Sequence, residues 1–184
     1  SVSELLAWTP PSLDGDRQRQ SRVRFNHTKA KERSRLSTTT ITHVHDCQGG
    51  YNADCDVKYR EGFQGWDVIT SMTYFSHHMF AIPPKVWIDD AHRHGTQILG
   101  TVIVENDSAG SDLKNNFQAV AEKLIEVKNH YGFDGYFLNI EDPSGWTPPE
   151  TFVKFEQSLR AAGMVVQFYD SLSSGGQLSY QNML

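Results

Sequence analysis

The run "GYFLNIE" at 135–141 closes an apolar stretch on Asn139 and Glu141. Side chains alternate across a strand, so Phe137, Asn139 and Glu141 share one face and Tyr136, Leu138 and Ile140 the other. The carboxamide and the carboxylate then lie roughly 6–7 Å apart along the strand, a reach that suits two atoms of one sugar ring. Retaining glycosidases usually hold two carboxylates ~5 Å apart, one of them the nucleophile. A carboxamide cannot attack an anomeric carbon. It can hold a substrate's own acetamido group while that group attacks, which is the substrate-assisted route to N-acetylglucosamine linkages. Glu141 would protonate the leaving oxygen and then deprotonate water, and partial burial would keep it protonated at rest. The same pair also fits a plainer arrangement, with Asn139 capping the next helix and Glu141 a solvated strand-end acid, because N-x-E is not specific.

Five β-rich apolar runs must position such a pair: 39–46, 66–78, 96–105, 135–141 and 164–172. They are nearly continuous in hydrophobicity, as parallel strands covered on both faces should be. Helical patterns separate them. Pro84 opens one and Gly95 closes it; Ser111 starts another over 111–130; Thr147 and Pro148 start a third that Gly163 ends. The alternation predicts a parallel α/β architecture. Most runs end in polar residues: His43, His45 and Asp46; His77 and His78; Glu105; Asn139 and Glu141; Tyr169 and Asp170. Polar groups at successive strand C-termini mark the active face of a TIM-type (β/α) barrel. A complete barrel takes about 250 residues, so 184 residues with five strands predict only the first five β/α units, an incomplete barrel.

Net charge is −5, but it is uneven. Residues 17–35 hold eight Lys/Arg and one acid, leaving nine basic against 21 acidic residues elsewhere. Such an arm could touch nucleic acid or anionic lipid. With no aromatic interleaved beyond Phe25 and no finger or heptad pattern, the segment reads as a solvated loop before the first strand, within a lead-in segment 1–38. No nucleic-acid or membrane partner is expected. Cys47 and Cys55 have neither metal-site nor disulfide-framework spacing, which fits a reducing, cytoplasmic setting. No apolar run reaches the ~18 residues of a membrane span, and no signal peptide opens the chain.

"HVHDCQGGY", "YFSHHMFAIPPKVWIDDAHRHGTQILGTVIVE", "GFDGYFLNIE" and "FYDSLSSGGQLSYQNML" together resemble glycoside hydrolase family 85, and "SELLAWTP" resembles that family's opening. The resemblance runs through nearly the whole chain in the family's order. It implies a (β/α)₈ barrel, no metal or other cofactor, and endo-β-N-acetylglucosaminidase action on the GlcNAc-β1,4-GlcNAc core of N-glycans or glycoproteins. It also implies roles: Asn139 orients the 2-acetamido group for oxazoline formation, Glu141 is the acid/base, and Tyr169 assists at the acetamido group. His77 and Asp46 are expected to contact substrate, and Glu105 either hydrogen-bonds a sugar hydroxyl or is a structural acid at the barrel mouth. Cys47, Asn106 and Asp142 stand where the family usually has Met, Trp and Asn.

Two other readings stay open. The chain is a truncated glycan-binding paralogue without catalysis, or an amidohydrolase-type metal barrel whose H-x-H pair is His43 and His45, on one strand face as two zinc ligands would need. His77 and His78 point to opposite faces, so at most one reaches the site. His92 and His94 read as helix C-terminal residues stabilised by the dipole.

Overall fold

The computed structural model describes residues 1–12, 16, 18–36, 39–46, 57–141, 150–169, 171–172, 174–176 and 178–179. Its centre is a parallel sheet of β1 (Thr42–Asp46), β2 (Ser71–Phe75), β4 (Gln97–Val104), β5 (Gly135–Ile140) and β6 (Val165–Phe168), in that spatial order. A two-residue strand, β3 (Phe80–Ala81), lies antiparallel beside the upper part of β4, Ala81 opposite Thr101. β2 pairs only the lower part, Ser71–Thr73 against Gln97–Leu99. A Cβ on Gly100 would stand 2.4 Å from the Ala81 carbonyl oxygen, so the close approach of β3 requires glycine there. A second short pair, β7 (Ser171–Leu172) and β8 (Leu178–Ser179), follows β6. The five long runs are all strands, shorter at their ends than the hydrophobicity predicts; β3 and β8 are too short to leave a periodic signal.

Helices cover one face: α4 (Lys85–Arg93), α5 (Asp107–Asn115), α6 (Phe117–Tyr131) and α7 (Glu150–Ala161), with a short α3 (Val57–Gly62) between β1 and β2. Pro84 is the N-cap of α4, and Gly95, at φ +66°, lies beyond its end, as the Pro/Gly punctuation predicts. The predicted helix over 111–130 is two helices. Its cap is Asn106, whose Oδ1 accepts the Ala109 N–H at 3.0 Å, and the break falls at Asn116. Asparagine competes well for a cap because its side chain mimics the missing carbonyl. Thr147 and Pro148 lie outside the described residues.

The register sorts the faces. Met72, Tyr74, Ile98, Val102, Val104, Tyr136, Leu138, Ile140 and Val166 join one core with Trp87, Ile88, Leu124, Phe155 and Leu159 of the helices. Ser71, Thr73, Phe75, Leu99, Thr101, Ile103, Phe137, Asn139 and Gln167 form the opposite face. That face is concave: Gln167 Nε2 on β6 donates to Ser71 Oγ on β2 at 2.7 Å, past β4 and β5. Higher up, Phe75 and Phe137 meet edge to face at 6.2 Å between ring centres.

The basic run is not a loop throughout. After an extended stretch, His27–Leu36 form α2, which crosses the turns at the N-terminal ends of the strands. Ser21 N–H donates to Tyr131 O at 3.0 Å, and Asn26 N–H to His92 O at 2.9 Å. One cation of the run, Arg33, is buried. Its guanidinium donates to Gly95 O (3.0 Å), His94 O (2.7 Å), Trp66 O (3.1 Å) and Thr96 Oγ1 (3.1 Å). It thereby satisfies carbonyls left over at the C-terminus of α4. The chain before it is held too: Val2–Ala7 form α1, opened by a Ser1/Glu4 capping box, and Trp8 packs its edge on His130 at 5.4 Å.

Candidate active site at the strand ends

β5 delivers Asn139 and Glu141 to the C-terminal end of the concave face. Asn139 pairs in register with Ile103. Glu141 N–H donates to Val104 O at 2.9 Å, so the ladder holds the backbone up to the acid itself. Asn139 is 4% exposed and its Oδ1 is buried with no hydrogen-bond partner among the described residues. Glu141 is exposed. The plainer arrangement, with Asn139 as a helix cap, does not hold, since no described N–H donates to its Oδ1. The partial burial expected of Glu141 is not supplied by the described residues; the segment that follows it, 142–149, lies outside them.

Tyr169 stands one strand over. Its backbone N–H donates to Leu138 O at 3.0 Å, and its half-buried ring lies 6.3 Å from Phe137. Phe137, on the same face as Asn139, links Tyr169 to Phe75. Phe75 in turn meets the His77 ring edge to face at 5.3 Å. His77 Nδ1 and Glu105 Oε1 are 3.0 Å apart, both about half exposed. The structure thus gathers Asn139, Glu141, Tyr169, His77 and Glu105 at one end of the sheet. Asp46 ends β1 opposite Phe75; its side chain is outside the described part, as are Cys47, Cys55, Asp142 and Asp170.

His77 reaches this end, while His78 uses its backbone N–H on Ser76 Oγ at 2.9 Å. His43 and His45 do share a face, but the wrong one for a barrel metal. Their register partners are Met72 and Tyr74, on the helix-covered side. His45 packs 5.4 Å from Trp87 and His43 5.1 Å from Phe63. Burial pushes the His43 pKa down. Among the described residues no group of three potential metal-binding side chains occurs. The H-x-H pattern is a packing feature here, and the amidohydrolase arrangement is overturned by the register.

Sequence reasoning missed Phe75 and Phe137 as parts of this end. Their signal was present: Phe137 shares the Asn139 face by simple alternation. His92 and His94 lie at the end of α4, as read. His94 stacks on Trp66 (5.3 Å, 9°). His92 Nδ1 faces Val23 O at 2.8 Å and its Nε2 faces Asp134 Oδ2 at 3.0 Å.

The family model for glycosyl hydrolase family 85 matches residues 45–184. The cytosolic endo-beta-N-acetylglucosaminidase of Homo sapiens is 33% identical over 205 aligned residues, covering 100% of this chain and 27% of that protein. The Mus musculus protein of the same name is 32% identical over the same shares. Cytosolic endo-beta-N-acetylglucosaminidase 2 of Arabidopsis thaliana is 34% identical, over 76% of this chain and 22% of its own length. The chain thus spans about a quarter of the length of these relatives. The glycoside hydrolase domain of Endo-D from Streptococcus pneumoniae R6 superposes with a TM-score of 0.66 at 18% identity, over 98% of this chain and 32% of that one. A chitinase from Bacteroides thetaiotaomicron follows at 0.55 and 15% identity, over 70% and 45%. At such identities the likeness speaks for the fold, a TIM-type barrel of which the described residues supply five parallel strands and the helices that connect them. With the family model covering most of its length, the chain belongs to glycosyl hydrolase family 85.

Proposed function

We propose that this chain carries the acid/base and the acetamido-orienting residues of an endo-β-N-acetylglucosaminidase that cleaves the GlcNAc-β1,4-GlcNAc core of N-linked glycans, acting in the cytoplasm. The observation that carries this reading is the orphaned Asn139 Oδ1. A buried carbonyl oxygen without a donor costs about 1–3 kcal/mol. The N–H of a 2-acetamido group is a donor of the kind it lacks, and accepting it would orient the acetamido oxygen toward the anomeric carbon.

The chemistry then divides between two residues. The acetamido oxygen bonds to the anomeric carbon as the glycosidic C–O bond breaks. Glu141 gives its proton to the departing oxygen, and a protonated oxazoline results, its N–H still held by Asn139 Oδ1. Glu141, now a carboxylate, takes a proton from water as that water opens the oxazoline, so the anomeric configuration is retained. Exposure gives Glu141 access to the leaving group and to water. Tyr169, beside Asn139 across the ladder, would complete the acetamido pocket. His77, Glu105 and Asp46 would hydrogen-bond sugar hydroxyls around it.

The test uses protein with a complete barrel that carries these residues. Glu141→Gln should lose hydrolysis of both glycan and preformed oxazoline, because both need the acid/base. Asn139→Ala should lose glycan hydrolysis yet still consume oxazoline, which arrives with the acetamido step done. An Asn139 variant that releases glycan at the normal rate would end the proposal. Activity abolished by chelators would point to metal chemistry instead.

A further inference from the structure

The base of the sheet, where the strands begin, carries a second surface that the proposed reaction does not use. Of the cations in 17–35, Arg33 is buried, while Arg19, Arg22, Arg24, Lys29, Lys31 and Arg35 are exposed. Only Lys29 among these six makes an ion pair within the described residues, with Glu32 at 3.4 Å, both more than half exposed. The arrangement has a local cause. In the extended stretch, Ser21 Oγ–H donates to Asp89 Oδ1, Val23 O meets His92, and Phe25 packs its ring on His92 at 5.9 Å. Alternation therefore sends Arg22 and Arg24 outward. In α2, anchoring by Arg33 sends the opposite side outward. There His27, Thr28, Lys31, Glu32 and Arg35 line an open groove of about 250 Å³.

Two apolar side chains adjoin these cations. Leu36, one turn beyond Arg33, is 87% exposed; Val68, two residues beyond the Trp66 carbonyl that Arg33 holds, is 60% exposed. These are the two most exposed large hydrophobics described. We propose that this basal face is a contact surface for an anionic lipid bilayer. Cations meet anionic headgroups, Leu36 and Val68 enter the interface, and the strand-end mouth is left facing away. The remainder of the chain, with nine basic against 21 acidic residues, is repelled by the same surface, so contact is confined to this face. A polybasic patch joined to exposed apolar side chains suits a bilayer. A single-stranded nucleic acid would want exposed aromatic platforms, and the one aromatic of the run, Phe25, is turned onto His27 and His92.

The test is flotation of the chain with phosphatidylcholine vesicles containing about 30% phosphatidylserine. Binding is expected at about 0.05 M salt and release by about 0.5 M. Joint Lys31→Glu and Arg35→Glu substitution should weaken it about tenfold or more. Leu36→Ser should weaken vesicle binding while leaving retention of a duplex RNA unchanged. All three positions are exposed, so circular dichroism should be unaltered. Should the double variant unfold, Arg22→Gln with Arg24→Gln replaces it under the same expectation. Absence of flotation at low salt, equal flotation with neutral vesicles, unaltered flotation of the folded charge variant, or an RNA bound at salt that strips the vesicles would each overturn the proposal.

Discussion

The two ends of the sheet handle most of their buried polar groups differently. At the base most are matched: four acceptors converge on Arg33, Asp89 accepts from Ser21 and is bridged by Lys85, and His92 lies between Val23 O and Asp134, whose Oδ2 also accepts the Ile98 N–H at 2.8 Å, while Arg33 Nε and Asp16 Oδ1 are buried with no partner among the described residues. At and below the mouth, Asn139 Oδ1 and Thr73 Oγ1 are buried with no partner among the described residues, and Glu141 faces solvent. A satisfied end adds stability. An unsatisfied end gives some up, and it keeps atoms available for a ligand.

The largest effect should come from the mouth. Glu141→Gln in a complete barrel should lower glycan release about 10²–10⁴-fold with no change in the urea midpoint, since the side chain is exposed. A large shift in that midpoint would blur the contrast, because the acid would then have a structural duty as well. Next comes the base. Arg33→Met leaves four acceptors without their donor and should destabilise the fold by about 3 kcal/mol, read from urea unfolding of this chain. A near-neutral result would mean that water replaces the guanidinium.

The most pointed test inverts the sign. Asn139→Leu removes an orphaned acceptor and fills the same space. It should raise stability by about 1 kcal/mol while abolishing glycan turnover. Destabilisation of that size would show that the carboxamide is held by the fold and would erase the contrast between the two ends.

The smallest effect is the pH dependence set by His92. Burial alone pulls its pKa down, but the hydrogen bond and charge of Asp134, the Val23 carbonyl and the charge of Asp89 outweigh burial and raise it. Both ring nitrogens face acceptors, which only the imidazolium can satisfy as a donor to both. A raised folded-state pKa means that His92 contributes its full stability below the unfolded value of about 6.5, and that the contribution is lost as pH rises through the higher folded value. Urea midpoints should fall across that window, and His92→Gln should flatten the slope. An unchanged slope would place the pH dependence elsewhere.

Local chemistry made much of this readable in advance. Strand runs, proline and glycine at the ends of α4, and the shared face of Phe137, Asn139 and Glu141 follow from backbone sterics and alternation, which act within a few residues. Alternation also put His43 and His45 together. It could not say which way the face turns, because that depends on pairing with Met72 and Tyr74 and on Trp87 filling the space behind. The basic run shows the same limit. Eight cations look alike in the sequence, and only the arrival of the α4–β4 turn, with its uncapped carbonyls, chose Arg33 for burial and left the others to solvent. The sequence by itself determined the elements and the acid–amide pair, since those rest on neighbours in the chain. The tertiary structure alone decided which polar groups are satisfied and which stay open, since a hydrogen-bond partner 33 or 62 residues distant along the chain exists only after folding.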